Sequence, residues 1–72
     1  MDLQKFLLAT FGSCKTSFEY SYKELKRICK NRGYNISTFY NDVHNVLSYM
    51  YAYGQVDTFF VLPSEDRIVA NK

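Results

Sequence analysis

The sequence is poor in the residues that build disulfide scaffolds and metal sites, because its 72 residues include only two cysteines and one histidine. Cys14 and Cys29 are too few for the disulfide-dense framework of a small secreted domain. We expect both to be reduced, partly buried thiols of an intracellular protein, with an internal or intermolecular disulfide as the alternative. His44 has no His or Cys neighbours at metal-ligand spacing, so we expect no metal site and no cofactor.

Long apolar segments are also missing. The apolar run near the N-terminus, Phe6–Ala9, is short and lies beside Lys5, which does not fit a secretory signal peptide. Nothing in the chain approaches the ~20 apolar residues of a membrane-spanning helix. We therefore expect an intracellular protein, in the cytoplasm or nucleoid, with no membrane partner.

Catalytic signatures are absent as well. The chain has no Gly-rich phosphate loop and no plausible pair of nucleophile and base, and 72 residues leave little room for a substrate cleft. Asp57, Glu65 and Asp66 lie in a predicted strand and turn, where contact with solvent explains them. We expect a protein that is not an enzyme and that takes no small-molecule substrate.

What the chain does have is apolar and aromatic content. Its 47% hydrophobic residues, with 18% aromatic, argue against disorder and suffice for one core, so we expect a single domain over residues 1–72. A chain this short buries only about 60% of its unfolded surface. Six Phe and seven Tyr are more aromatics than such a core readily holds, so some tyrosines should lie on the surface.

Positive charge is concentrated in one segment. Six of the nine Lys and Arg residues lie between Lys15 and Arg32, against only Glu19 and Glu24, so this segment carries +4. Residues 33–72 carry −2, although the whole chain is only +2. This segregation is compatible with nucleic-acid binding in a way that the small net charge alone is not.

Apolar periodicity and capping residues predict a first helix from Leu3 to Phe11, between an Asp2 cap and Gly12. Leu8 falls off the apolar face of this helix, roughly opposite Phe6, which indicates either a dimer contact or a singly exposed leucine. Ser17–Tyr20 alternates like a short strand.

A second helix, Tyr22–Arg32, opens with the capping box Ser21-x-x-Glu24 and ends at Gly33, which is free to take a left-handed conformation. Its predicted core face comprises Tyr22, Leu25, Ile28 and Cys29. Its opposite face comprises Lys23, Lys26, Arg27 and Lys30.

A third helix is predicted from a cap at Ser37 to Tyr53, after a turn in which Ile36 fills the angle between the helices. Its inward positions are Phe39, Val43, Val46, Leu47 and Met50. Its exposed side presents Thr38, Asn41, Asn45 and Ser48, with His44 on one flank and Asp42 and Tyr49 on the other. This exposed side is polar but hardly charged.

Two strands complete the chain, Gln55–Leu62 and Arg67–Asn71, joined by the four-residue connection Pro63–Asp66. The predicted fold class is therefore α+β, with three helices and a small antiparallel β-sheet in the order helix, strand, helix, helix, strand, strand.

A basic helix, a tight turn with Gly and a second polar helix have the order of a helix-turn-helix. In that arrangement the basic side chains approach DNA phosphates, which dominate affinity, and the second helix reads bases in the major groove. The candidates for the DNA backbone are Lys23, Lys26, Arg27 and Lys30. The candidates for base edges are Thr38, Asn41, His44, Asn45 and Ser48.

The string Leu47-x-x-Met50-x-x-x-Gly54-x-Val56 resembles the end of the recognition helix in winged helix-turn-helix regulators, where a Gly and a small aliphatic residue begin the wing. Phe59–Leu62 and Arg67–Val69 resemble the wing strands, Leu3–Phe11 the first helix and Phe18–Tyr20 the strand that pairs with the wing. The resemblance covers nearly the whole chain and extends to the very small winged-helix proteins of archaeal plasmids and viruses; for a viral protein the compartment would be the host cytoplasm.

The resemblance implies that the third helix reads the major groove and that the wing touches the DNA backbone or the adjacent minor groove. Arg67 is the wing candidate, since Arg favours narrow A·T-rich minor grooves. Glu65 and Asp66 place negative charge near the wing tip, where phosphates would repel it, so a wing that points away or serves a partner protein stays open. The function that follows is a sequence-specific double-stranded DNA-binding transcriptional regulator that acts by occupying an operator or promoter.

A homodimer is expected, with Leu8, Tyr49 and Tyr53 as the subunit contact and two recognition helices about 34 Å apart on one duplex. The alternative function is a winged-helix module that binds protein without reading DNA. The acidic wing, the uncharged recognition surface and the tyrosines Tyr49, Tyr51 and Tyr53 favour that alternative.

Overall fold

A computed structural model describes residues 2–72, which form three α-helices and one three-stranded antiparallel sheet. In chain order the elements are α1 (Leu3–Gly12), β1 (Phe18–Tyr20), α2 (Tyr22–Asn31), α3 (Phe39–Ala52), β2 (Thr58–Leu62), a 3-10 turn (Pro63–Glu65) and β3 (Arg67–Asn71). The predicted α+β class and the predicted order of helices and strands are confirmed.

Helix α1 begins as its sequence predicts, because the Asp2 carboxylate accepts a hydrogen bond from the backbone N–H of Gln4 at 2.9 Å. The helix buries Leu3, Leu7 and Phe11. Leu8, predicted to lie off the apolar face, is half-buried and packs against the core.

Helix α2 has the predicted cap at its start, where the Ser21 hydroxyl accepts a hydrogen bond from the backbone N–H of Glu24 at 3.2 Å. The prediction that Ile28 belongs to the core is wrong, since 36% of this residue is exposed. The buried residues Tyr22, Leu25 and Cys29 lie within an arc of about 60°, and Ile28 lies about 60° beyond its edge. Gly33 follows the helix with φ +90, as predicted.

Helix α3 begins at Phe39, one residue later than a cap at Ser37 predicts, so the predicted cap at Ser37 is wrong. The backbone N–H of Ser37 donates to Asn35 Oδ1 at 3.0 Å, which places Ser37 in the turn before the helix. Thr38 precedes the first helical residue, Phe39, but its side chain caps no backbone N–H. The predicted inward residues are confirmed as buried: Phe39, Val43, Val46, Leu47 and Met50.

The sheet has the strand order β1-β3-β2, so that β3 pairs with both neighbours and β2 forms an outer edge. Ile68 and Ala70 of β3 are buried against the helices, while Phe60 on the other face of the sheet is 55% exposed. The turn between β2 and β3 closes with Asp66 in the left-handed conformation, at φ 56. This turn lies against the N-terminus of α2, which brings the hairpin and the basic helix together.

The two cysteines are free thiols, with Cys29 buried and Cys14 half-buried. Cys14 Sγ lies 3.4 Å from the hydroxyl of Tyr20, and this hydrogen bond, with burial, raises the pKa of Tyr20 to about 12. Within residues 2–72 no helix combines the length and apolarity that a bilayer crossing needs.

Candidate nucleic-acid interface

Three lysines of α2 form what we call the lysine stripe: Lys23, Lys26 and Lys30. Their spacing places them within an arc of about 60° along roughly 10 Å of helix. In the part of the chain that the structure describes, none of the three ammonium groups takes part in an ion pair. The stripe is therefore a row of positive charges available to an external anion.

Arg27, predicted with these lysines, differs from them because its charge is compensated within the chain. Its guanidinium pairs with the Glu24 carboxylate, and Arg27 Nε donates to Glu24 Oε2 at 3.3 Å. This hydrogen bond and the attached negative charge raise the pKa of Arg27. Because the Glu24 carboxylate binds Arg27, it does not accept the backbone N–H of Ser21, and the predicted capping box is only half formed.

Asp66 binds the first turn of α2. One carboxylate oxygen accepts the backbone N–H of Lys23 at 2.7 Å and the other accepts the Ser21 hydroxyl at 2.9 Å. Its backbone carbonyl accepts the N–H of Tyr22 at 3.3 Å. These hydrogen bonds lower the pKa of Asp66, and the bond from the Lys23 N–H contributes more than the bond from the Ser21 hydroxyl. The negative charge expected at a free wing tip is instead held against the positive end of a helix.

Arg67, the predicted wing contact, is also held within the chain. Arg67 Nε and Nη2 donate to the two carboxylate oxygens of Glu19 on β1, at 3.1 and 3.3 Å. Arg67 Nη1 lies 3.6 Å from Glu65 Oε1 in the turn. The bonds to Glu19 raise the pKa of Arg67, which stays charged but faces two carboxylates. A minor-groove contact by Arg67 would require it to exchange these partners.

The exposed side of α3 carries the predicted base contacts, and the structure separates them into free and engaged groups. Asn41 and Asn45 are exposed, and within residues 2–72 no hydrogen bond engages their side-chain amides. The Thr38 hydroxyl donates to Asp42 Oδ2 at 2.9 Å, and the Ser48 hydroxyl lies 3.4 Å from His44 Nδ1. The two asparagines are thus the candidates with full hydrogen-bonding capacity toward an external ligand.

An aromatic band runs along one flank of α3 toward β2. The ring of Tyr40 stacks on His44 with centroids 6.1 Å apart, and His44 meets the edge of Phe59 at 5.5 Å. Tyr51 lies 6.3 Å from the same Phe59 ring. Sequence reasoning missed Tyr40, although its position one turn before His44 on the helix could have indicated this contact.

A cleft between α1 and α3 brings together residues that were predicted for different partners. We call it the α1–α3 cleft; its lining comprises Asp2, Gln4, Lys5, Leu8, Asn45, Val46 and Tyr49. Leu8 and Tyr49 were assigned to a subunit contact and Asn45 to DNA, yet all three line one depression. Tyr53, the third predicted dimer residue, packs on Tyr49 with ring centroids 4.6 Å apart. Lys5, which sequence reasoning left without a role, adds a positive charge to this cleft.

Within residues 2–72, no group of three His, Cys, Asp or Glu side chains is arranged to hold a metal ion. No protein-family model, curated protein or solved structure matches this chain.

Proposed function

We propose that this chain is a winged helix-turn-helix domain that binds double-stranded DNA. The lysine stripe of α2 contacts phosphates, and the exposed side of α3 enters the major groove. The observation that carries the proposal is the stripe itself, since its three ammonium groups form no ion pair within residues 2–72. Of the neighbouring acids, Glu24 pairs with Arg27, and Asp66 accepts the backbone N–H of Lys23. A surface that keeps free lysines together fits a polyanion.

The arrangement of elements supports the same proposal. Helices α2 and α3 are consecutive and joined by the seven residues 32–38, which include Gly33 at φ +90, and the hairpin of β2 and β3 is the next element after α3. The β1-β3-β2 sheet is compatible with a winged helix, with β1 paired to the second wing strand. On DNA, the bound protein would act as a transcriptional regulator by covering an operator or promoter.

The proposal includes a homodimer that uses the α1–α3 cleft with Tyr49 and Tyr53. The cleft carries Asp2 and Lys5, which are of opposite charge, so a two-fold arrangement can set Asp2 of one copy against Lys5 of the other. Because Asn45 lines the same cleft, the subunit contact and the DNA surface would adjoin each other.

The experiment that tests DNA binding is fluorescence anisotropy with random duplex DNA over a salt series. We expect log affinity to fall linearly with log salt, by about 0.9 per phosphate contacted. Replacing Lys26→Ala together with Lys30→Ala should reduce the slope by about 1.8 and weaken all duplexes alike. Arg27→Ala is the matched control on the same helix, and its effect should be smaller because Glu24 already compensates its charge.

A double variant that binds with an unchanged slope would refute the stripe as the phosphate contact. Absence of any binding at about 50 mM salt, where even non-specific DNA-binding proteins stay bound, would favour the second candidate function. That candidate is a protein-interaction module, and the exposed rings of Tyr40, Tyr49, Tyr51, Tyr53 and Phe60 are the observation that favours it.

A further inference from the structure

We propose that α3 is selective for A·T base pairs in the major groove, with Asn41 and Asn45 on adenine and the ring of Tyr40 against the methyl group of thymine. This inference rests on the proposed DNA binding and adds the class of sequence that is read. It follows from comparing the functional groups that α3 exposes with those that each base pair requires.

The exposed side of α3 lacks the side chains that most often bind guanine. The commonest specific contact to guanine is an Arg or Lys that donates to O6 and N7. Helix α3, from Phe39 to Ala52, contains no Arg or Lys. The cation that shares a depression with an α3 base candidate is Lys5 of α1, which lines the α1–α3 cleft together with Asn45.

The exposed side of α3 also lacks a free acidic side chain for cytosine. Cytosine presents an amino group in the major groove, which an Asp or Glu accepts. Asp42 is the single acidic residue of α3, and each of its carboxylate oxygens already accepts one hydrogen bond within the chain. Oδ1 accepts the side-chain amide of Gln4 at 3.0 Å, and Oδ2 accepts the Thr38 hydroxyl at 2.9 Å. Asp42 therefore joins α1 to α3, and a cytosine amino group would have to compete with these two bonds for its carboxylate.

Adenine is the base that the remaining groups fit. An asparagine amide can donate to N7 and accept from the N6 amino group of adenine at once. Asn41 and Asn45 are four residues apart, so they project on the same side of α3 about 6 Å apart along its axis. Both are exposed, and neither amide is engaged within residues 2–72.

Thymine carries a methyl group in the major groove that pairs with apolar side chains. Tyr40 precedes Asn41 in the chain and is 44% exposed, and its ring is steadied by stacking on His44 at 6.1 Å. Because consecutive residues of a helix project about 100° apart, the Tyr40 ring flanks the face of α3 that carries Asn41, and it can reach the methyl group of a thymine next to the adenine that Asn41 contacts.

The test uses three duplexes with identical flanks and a central block of mixed A·T, G·C or inosine·cytosine pairs. Inosine·cytosine lacks the guanine amino group, so it resembles A·T in the minor groove while keeping the major-groove pattern of G·C. Anisotropy should show the A·T duplex binding at least about fivefold tighter than the G·C duplex, with inosine·cytosine as weak as G·C. Replacing thymine by deoxyuridine, which removes only the methyl group, should weaken binding about fourfold for each methyl contacted.

Variants connect the preference to the named residues. Asn41→Ala with Asn45→Ala should bring the A·T to G·C ratio close to one while leaving the salt slope unchanged, because phosphate contacts are not altered. Tyr40→Ala should abolish the discrimination between thymine and deoxyuridine. Gln55→Ala is the matched control, since Gln55 is another exposed amide but lies in the turn after α3.

The outcomes separate the two proposals. If no duplex binds, the proposed DNA-binding function fails. If all duplexes bind with the expected salt slope but without an A·T preference, only the base assignment fails. Inosine·cytosine binding as tightly as A·T would place the reading in the minor groove and overturn the inference. A preference for G·C that is lost in Lys5→Ala would overturn it as well and assign base reading to Lys5.

Discussion

Asp66 shows how one side chain can connect two distant parts of this chain. It closes the turn before β3 in a left-handed conformation, which Asp adopts more readily than most residues. Its short carboxylate then reaches the N–H of Lys23 and the hydroxyl of Ser21, both more than forty positions earlier in the sequence. The residue that was expected to repel DNA from a wing tip instead caps the helix that carries the lysine stripe.

We expect Asp66→Asn to lower the melting temperature at neutral pH, because the amide is nearly isosteric and tolerates the same backbone conformation but lacks the charge. The pKa of Asp66 is lowered from its ordinary value of 3.8, so the folded state favours the ionised form. Its contribution to stability is therefore complete above that value and is lost as the pH falls through the folded pKa.

Thermal unfolding of the parent protein and of the Asp66→Asn variant, at pH 7 and in strong acid, checks this prediction. The difference in melting temperature should narrow as the pH falls below 3.8. A difference that stays constant down to strong acid would show that the carboxylate charge is not what stabilises the cap.

At the residue scale, local bonds were predictable from the sequence and distant ones were not. The Ser21 hydroxyl caps α2 by accepting the backbone N–H of Glu24, three residues later in the chain, and Gly33 follows the end of the helix in a left-handed conformation. Both features follow rules that involve residues within one helical turn. The pairing of Arg67 with Glu19 spans 48 positions, and the sequence offers no local signal for it. For the same reason the roles of Asp66 and Asp42 emerged only from the structure.

At the element scale, two glycines next to helix ends provide a matched pair for testing helix termination. Gly33 has φ +90 after α2, whereas Gly12 is the last residue of α1 and is not in the left-handed region. A Cβ atom at either position would meet nothing within 4 Å. Substitution by Ala therefore changes backbone preference and creates no clash at either site.

Gly33→Ala should lower the free energy of unfolding by about 1–2 kcal/mol, since a left-handed backbone costs that much for a residue with a Cβ. Gly12→Ala should raise it by up to about 1 kcal/mol, because alanine loses less conformational entropy in a helix. Urea unfolding of the two variants and the parent measures both values. Equal effects of the same sign would contradict the assignment of opposite conformations to the two glycines.

Element boundaries were predictable where capping and periodicity agree, and less so elsewhere. Ser37 and Thr38 are both acceptable N-cap residues, and the choice between them depends on the Asx turn that Asn35 makes with Ser37. Strand β2 begins at Thr58, three residues later than predicted from Gln55. Val56 is buried and fits the apolar alternation, but it packs in the core before the strand begins.

At the scale of the whole molecule, the flanks of α3 present different surfaces. Tyr40, His44 and Tyr51 lie toward β2, where the ring of Phe59 meets the last two of them. On the flank toward α1, Tyr49 lines the α1–α3 cleft with Leu8, and its ring packs in a tilted arrangement on Tyr53. A partner subunit on the α1 flank would leave the aromatic band and Asn41 accessible to DNA, with Asn45 at the boundary between the two.

This division leads to a prediction about self-association. We expect sedimentation velocity at micromolar concentration to show a dimer, and Tyr49→Ser with Tyr53→Ser to dissociate it. Tyr51→Ser is the matched control, because Tyr51 is 52% exposed, close to the 48% of Tyr49, but lies on the other flank of α3. Dissociation should also weaken binding to a site with two half-sites about 34 Å apart, while single half-site binding stays the same.

Two results would count against the proposed subunit contact. A parent protein that stays monomeric, with or without duplex DNA, would remove the dimer. A dimer that survives the double tyrosine substitution but dissociates in Phe60→Ser would move the contact to the sheet, where Phe60 lies exposed on the edge strand β2. An unpaired strand edge without charged residues is itself a surface on which a second chain can pair, so this alternative has a physical basis.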